Sequence, residues 1–194
     1  MNYVLLHHPF YFFDTHKGNS LLTSRKDAYK LLQSLNAPQH LMTHVALVGK
    51  AADLLIKHCE KIGLNIDCEF IRIGVAVHDI GKIVHRHEMT GSGSDHEPEG
   101  QKLLLAHGVS ERIARCCMSH ARWNDMECSL EELLIALSDK LWKGKRIEAL
   151  ELKIIDQIAT KIGKHRWDIF QDLDAHFEFI ASGGDERLNR SVIK

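Results

Sequence analysis

Apolar residues along this chain recur at intervals of three and four, and no stretch alternates convincingly like a half-buried strand. Between residues 39 and 62, Leu41, Val45, Val48, Ala52, Leu55, Ile56 and Cys59 fall at helical spacing, and Gly63 ends the run. A short helix over 25–36 precedes it, opened by Thr23-Ser24 and followed by a turn at Ala37-Pro38. Asp67 is placed to cap a third helix, 68–80, whose body of Phe70, Ile71, Ile73, Val75, Ala76 and Val77 is almost wholly apolar. A polar loop, about 84–95, comes next, then helices over about 97–107, 110–121, 129–143, 146–162 and 166–182. Gly108, Gly144, Gly163 and Gly183 punctuate these ends. The pattern predicts an all-α fold, a bundle of seven or eight helices. Residues 1–24 read as an irregular extension, and 25–194 as a single domain whose C-terminal helices pack on the rest.

Several ionisable residues interrupt these apolar faces. His44 shares a helix face with Leu41, Val48 and Leu55, although His40 and His58 lie within about 40° of the same direction, so spacing alone leaves three candidates. His78 extends the stripe Ile71-Gly74-Val75, and Asp79 follows it at the helix end. A carboxylate there is poorly placed against the helix dipole and costly to bury, so it reaches water in the loop or is held by a cation. His96 opens the stripe Gly100-Leu103-Leu104, His120 ends Ile113-Cys116-Cys117, and Asp139 lies on Ile135-Ala136-Trp142 of a helix that is apolar on both sides. One such residue is ordinarily a satisfied core group. Histidines and aspartates on separate helices at once favour a shared metal cluster.

Composition narrows the function classes. Lys+Arg total 25 and Asp+Glu 26, a formal net charge of -1, so no global field draws the chain to nucleic acid or an anionic membrane. Dedicated nucleic-acid binding is not expected. No apolar run approaches the length of a membrane span. The opening MNYVLLHHPFYFFDTHKG lacks the basic region of a secretory leader, and the five cysteines show no CxxC spacing, so free thiols in a reducing cytoplasm are expected. Cys116-Cys117 reads as inert core. The 14 histidines outnumber the 13 aromatics, which sharpens the interest in those on apolar faces.

The order His44, His78-Asp79, Asp139 resembles the HD-domain superfamily of metal-dependent phosphohydrolases. The segment His78-Asp79-Ile80-Gly81-Lys82 is close to its hallmark, LMTHVALVGKAADLL resembles its first ligand helix, and IALSDKLWKGKR its last, with Asp139 at the terminal ligand position. The likeness spans roughly residues 25–145 and singles out His44 over His40 and His58. It implies an HD-domain helical bundle with His44, His78, Asp79 and Asp139 as metal ligands. In two-metal members, further histidines lie between the pair and the final aspartate; His96 and His120 match those places, and Asp79 would then bridge two ions. His85 and His87 read as solvated loop residues.

The implied cofactor is one or two divalent ions, with Fe, Mn, Co, Ni, Zn and Mg all compatible with imidazole and carboxylate donors. The implied reaction is cleavage of a phosphate mono- or diester, of a nucleotide or another small phosphorylated molecule, by a metal-activated water. Asp79 is the candidate proton acceptor. Lys82 is the candidate phosphate clamp, with Arg122, Lys140, Lys143, Lys145 and Arg146 as further cations; the plainer alternative for each is a solvated helix end. Two other functions remain open on the same residues, a di-iron oxygenase and a non-catalytic metal-dependent binding module.

Overall fold

A computed structural model of the chain describes residues 22–191. Among them are ten α-helices, two 3-10 turns and no strand. The helices are α1 (Arg25–Ser34), α2 (Gln39–Lys61), α3 (Cys68–Val77), α4 (His96–Ala106), α5 (Glu111–Ala114), α6 (Cys116–Arg122), α7 (Leu130–Leu141), α8 (Glu148–Ile162), α9 (Arg166–Ser182) and α10 (Gly184–Ser191). The 3-10 turns, Ile80–Ile83 and Arg86–Met89, join α3 to α4. No helix of the described residues is long and apolar enough to cross a membrane. Of the expected N-terminal extension, residues 1–21 lie outside the described residues.

Local chemistry starts the helices where the sequence suggests. The Ser24 hydroxyl accepts the Asp27 N–H at the head of α1, and the Asp67 carboxylate accepts the Phe70 N–H at the head of α3. Ser129 and Glu132 form a reciprocal capping box on α7. Two elements differ from expectation. The helix expected over 110–121 is broken at Arg115 into α5 and α6, the Arg115 guanidinium reaching across to Glu132 (2.9 Å). The eight-residue α10 was not expected, because Leu188 is the one large apolar side chain in its sequence. Its hold is tertiary: the Arg187 guanidinium donates to the Trp142 and Leu141 carbonyls, at 2.6 and 2.9 Å, at the end of α7.

The core sits around α7, which packs against α2, α3, α6, α8 and α9. Leu130, Leu133, Leu134, Ile135, Ala136, Leu137 and Leu141 of that helix are all buried, at roughly 1.5–3 kcal/mol for each large side chain. Asp139 is buried in the same helix, so its charge must be compensated locally. A second apolar cluster joins α1, the start of α2, α3, α4 and Cys117. His44 falls between Leu41 and Val45 of this cluster and Val48 of the main one. The turn after α3 is pressed against the head of α4: a Cβ on Gly81 would collide with the His96 carbonyl, and one on Gly100 would stand 3.0 Å from the Gly81 nitrogen. Glycine at both positions permits this approach, and the approach brings His96 to the end of α3.

Candidate metal centre

Six ionisable side chains from α2, the end of α3, α4, α6 and α7 meet at one place. His44 Nε2 lies 2.9 Å from Asp79 Oδ2, 3.3 Å from His78 Nε2 and 3.7 Å from Asp139 Oδ1. His78 Nε2 lies 3.5 Å from Asp79 Oδ2 and 3.7 Å from Asp139 Oδ1. On its other side Asp79 turns Oδ1 toward His96 Nε2 (3.1 Å) and His120 Nε2 (3.6 Å). Asp79 thus stands between two groups, one of His44, His78 and Asp139, the other of His96 and His120. Its own group of donors with His44 and His78, and its group with His96 and His120, are each compact enough to surround one ion.

The donors are aimed as a cation requires. His78 Nδ1 donates to the Val75 carbonyl (2.9 Å) and His120 Nδ1 to the Cys116 carbonyl (3.1 Å), which leaves Nε2 of each ring bare toward the centre. His96 Nδ1 lies 2.5 Å from Glu88 Oε2, with the same consequence. Despite their proximity, Asp79 Oδ1 and His96 Nε2 make no well-formed hydrogen bond, and both are buried without a partner among the described residues. Orphaned buried acceptors of this kind are costly. A divalent cation between them satisfies both, so the residues present fit one.

Electrostatics point the same way. Burial alone would raise the Asp79 and Asp139 carboxyls, but His78 and its neighbouring imidazoles around Asp79, and His78 with Lys140 around Asp139, outweigh it and hold both well below the usual range. Burial lowers His44, and together with the charge of His78 it takes His120 down to about 3. His96 goes the other way, burial being outweighed by Asp79 and Glu88 beside it, so the neutral imidazoles of His44 and His120 and the two ionised carboxylates are the groups already in the form that binds metal.

Beside the cluster opens a cavity of about 290 Å³, lined by His40, His44, Asp79, Lys82, Trp142, Lys143 and Leu188 among others. Lys82 Nζ is 2.7 Å from Asp79 Oδ2; Lys140 and Lys143 stand 2.8 and 3.9 Å from Asp139 Oδ2. Three of the expected cations therefore reach the centre. The others do not line the cavity: Arg122 pairs with Glu97 (2.7 Å), Arg146 is engaged by Glu151, Asp174 and Glu178 at 2.6–2.8 Å, and Lys145 is exposed. Of the further cations offered by the sequence, Arg122 and Arg146 are thus taken up by carboxylates rather than turned to the cavity. Of the three histidines that spacing left open on α2, His44 enters the cluster, His40 sits at the cavity, and His58 faces Asp172 (3.0 Å) and stacks on His176.

Two contributors were not read from the sequence. Trp142 sets its ring edge-on to His44, centroids 5.0 Å apart, with its buried indole N–H lacking a partner among the described residues. Glu88, inside the loop expected to be solvated, is buried. The only sequence signal for Trp142 was its place on the Asp139 stripe; for Glu88 there was none.

No curated protein and no solved structure matches this chain. The HD-domain family model matches residues 43–144, more than half of the 194 residues. That span contains all six clustered side chains, from His44 to Asp139, and the chain belongs to the HD-domain family.

Proposed function

We propose that this protein is a metal-dependent phosphohydrolase that cleaves a mono- or diester of a small phosphorylated molecule, nucleotides included. His44, His78, Asp79 and Asp139 would hold one ion, and Asp79, His96 and His120 would hold a second. The observation that carries this reading is the pair of orphaned buried atoms, Asp79 Oδ1 and His96 Nε2, beside a cavity rimmed by lysines. A divalent ion bound there supplies Lewis acidity, acidifying water and drawing charge from phosphoryl oxygens.

The chain's own residues supply the rest. Lys82 and Lys143 line the cavity and offer ammonium groups to phosphate oxygens. Trp142 walls the cavity and packs edge-on against His44, which holds that imidazole in place. Asp79 stays ionised, so it is a ligand, and as the carboxylate lining the cavity it orients the attacking water by accepting a hydrogen bond. A volume of about 290 Å³ lies at the low end of ligand pockets, roughly 300–1,000 Å³, which favours a small substrate over a polymer.

A di-iron oxygenase would draw on the same four imidazoles and two carboxylates. The lysine rim favours the phosphohydrolase, because cations at the cavity suit an anionic substrate. The test is metal-stripped protein resupplied with Mn, Co, Ni, Mg or Fe and offered p-nitrophenyl phosphate, its bis-ester and nucleoside monophosphates, with oxygen uptake followed in parallel. Phosphate or nitrophenolate release that vanishes in Asp79→Asn is expected. Oxygen consumption by iron-loaded protein without any ester cleavage would replace this reading with the oxygenase.

A further inference from the structure

The geometry points to Glu88 as the positioning residue that fixes the ring and tautomer of His96; this rests on the metal-dependent reading above for its consequence, though not for its cause. Glu88 sits in the 3-10 turn Arg86–Met89, within a loop whose sequence, VHRHEMTGSGSD, reads as solvated. Its carboxylate is nevertheless buried, its side chain 1% exposed. Such a charge is unfavourable to bury unless donors surround it.

Three donors do. Oε1 accepts the Asp95 N–H (3.1 Å), and Oε2 accepts both the His96 N–H (3.3 Å) and the His96 ring at Nδ1 (2.5 Å). The first two tie the carboxylate to the head of α4, where backbone N–H groups lack helical partners. The third leaves Nε2 as the free lone pair, facing Asp79 Oδ1 at 3.1 Å. The loop is built to admit this: a Cβ on Gly93 would collide with the Glu88 carboxyl group.

Comparison within the cluster shows what is particular here. His78 and His120 also donate through Nδ1, but to the neutral carbonyls of Val75 and Cys116 within their own helical segments. His96 alone of these three is steered by an anion, and that anion comes from a different segment. A carboxylate partner orients an imidazole and makes it a stronger donor to a cation; losing such a partner weakens metal binding by roughly 10–100-fold. Glu88 therefore acts on the second ion, through His96, without touching the first group of ligands.

The test uses the full chain labelled with ¹⁵N-histidine, metal-free and at mildly alkaline pH, with Glu88→Gln and Glu88→Ala beside the wild type. Glutamine is isosteric but offers one acceptor oxygen, so its amide NH₂ must face either the Asp95 N–H or the His96 ring. In the wild type, His96, His78 and His120 should all show the Nδ1–H form. In Glu88→Ala, and in Glu88→Gln where the NH₂ faces the ring, His96 alone should move toward the Nε2–H form. Manganese titration should show affinity for the second equivalent falling about 10–100-fold, the first unchanged. An unchanged His96 tautomer in both variants overturns the proposal. So does simultaneous loss of all three histidine signatures, which would make Glu88 a residue of the fold rather than of His96. A wild type that binds no manganese, yet shows the His96 tautomer responding to Glu88, would remove the metal reading and leave the positioning role standing.

Discussion

Gly81→Ala perturbs the centre without altering any ligand. The turn Ile80–Ile83 meets the head of α4 so closely that a Cβ on Gly81 would stand 2.7 Å from the Gly100 nitrogen and 2.8 Å from the His96 carbonyl carbon, where ordinary contact begins at 3.4 Å. Those atoms are backbone, so no flexible side chain can yield. The His96 carbonyl oxygen lies closer still, so the methyl is accommodated only if the turn and α4 separate by well over 0.7 Å. Overpacking of this kind costs about 1–3 kcal/mol. The same movement withdraws His96 from Asp79, and metal–ligand distances tolerate only about 0.2 Å. Gly81→Ala should therefore fold, with its unfolding free energy lowered by at least that amount, and should lose affinity for one metal equivalent while keeping the one held by His44, His78, Asp79 and Asp139. Circular dichroism in urea and calorimetric metal titration read the two effects separately. Wild-type stability together with two undiminished metal equivalents would refute the claim that this glycine sets the spacing of the centre.

Other consequences can be checked alongside. Lys82→Ala removes an ammonium at the cavity and should lower kcat/KM for a phosphomonoester by about 10–100-fold, as expected for a charge-assisted hydrogen bond of roughly 1.5–3 kcal/mol, with metal content unchanged; steady-state kinetics with metal analysis decide it. Arg146→Ala leaves the buried Glu151 without its fork and should destabilise by about 1–3 kcal/mol in urea while kcat/KM stays within about twofold; a large kinetic loss at full stability would restore Arg146 to the substrate site. Burial would raise the Glu132 carboxyl, but the Ser129 N–H and other donors, Arg115 among them, hold it below its ordinary value. Its stabilising contribution is therefore full above the ordinary glutamate range and lost as pH falls through the lowered folded value. Wild-type urea stability should accordingly fall more steeply with acid than that of Glu132→Gln, and parallel pH profiles would contradict it.

Much of the fold was legible because local signals agreed with the packing. Ser24 and Asp67 cap where their chemistry suggests, and the double apolar face of α7 announced a central helix. The ligand helices were readable for the same reason: a histidine or aspartate on an apolar stripe must face inward. What the helical wheel could not do was choose along a helix. His44 and His58 lie about 40° apart in direction, but fourteen residues at 1.5 Å per residue separate them by about 21 Å. They serve opposite ends of α2, His58 against Asp172 and His176. The family likeness, not periodicity, made that choice. The break at Arg115, the seating of α10 by Arg187 and the burial of Glu88 depend on partners far away in sequence or on a loop folded against a helix head. No local pattern encodes them.

The most direct measurement is anomalous diffraction from crystals of the full chain grown with manganese. Two peaks are expected, sharing Asp79 between them: one among His44, His78 and Asp139, the other between His96 and His120. Peaks elsewhere, or an empty cluster with the imidazoles turned away from Asp79, would contradict the assignment of this centre to divalent metal.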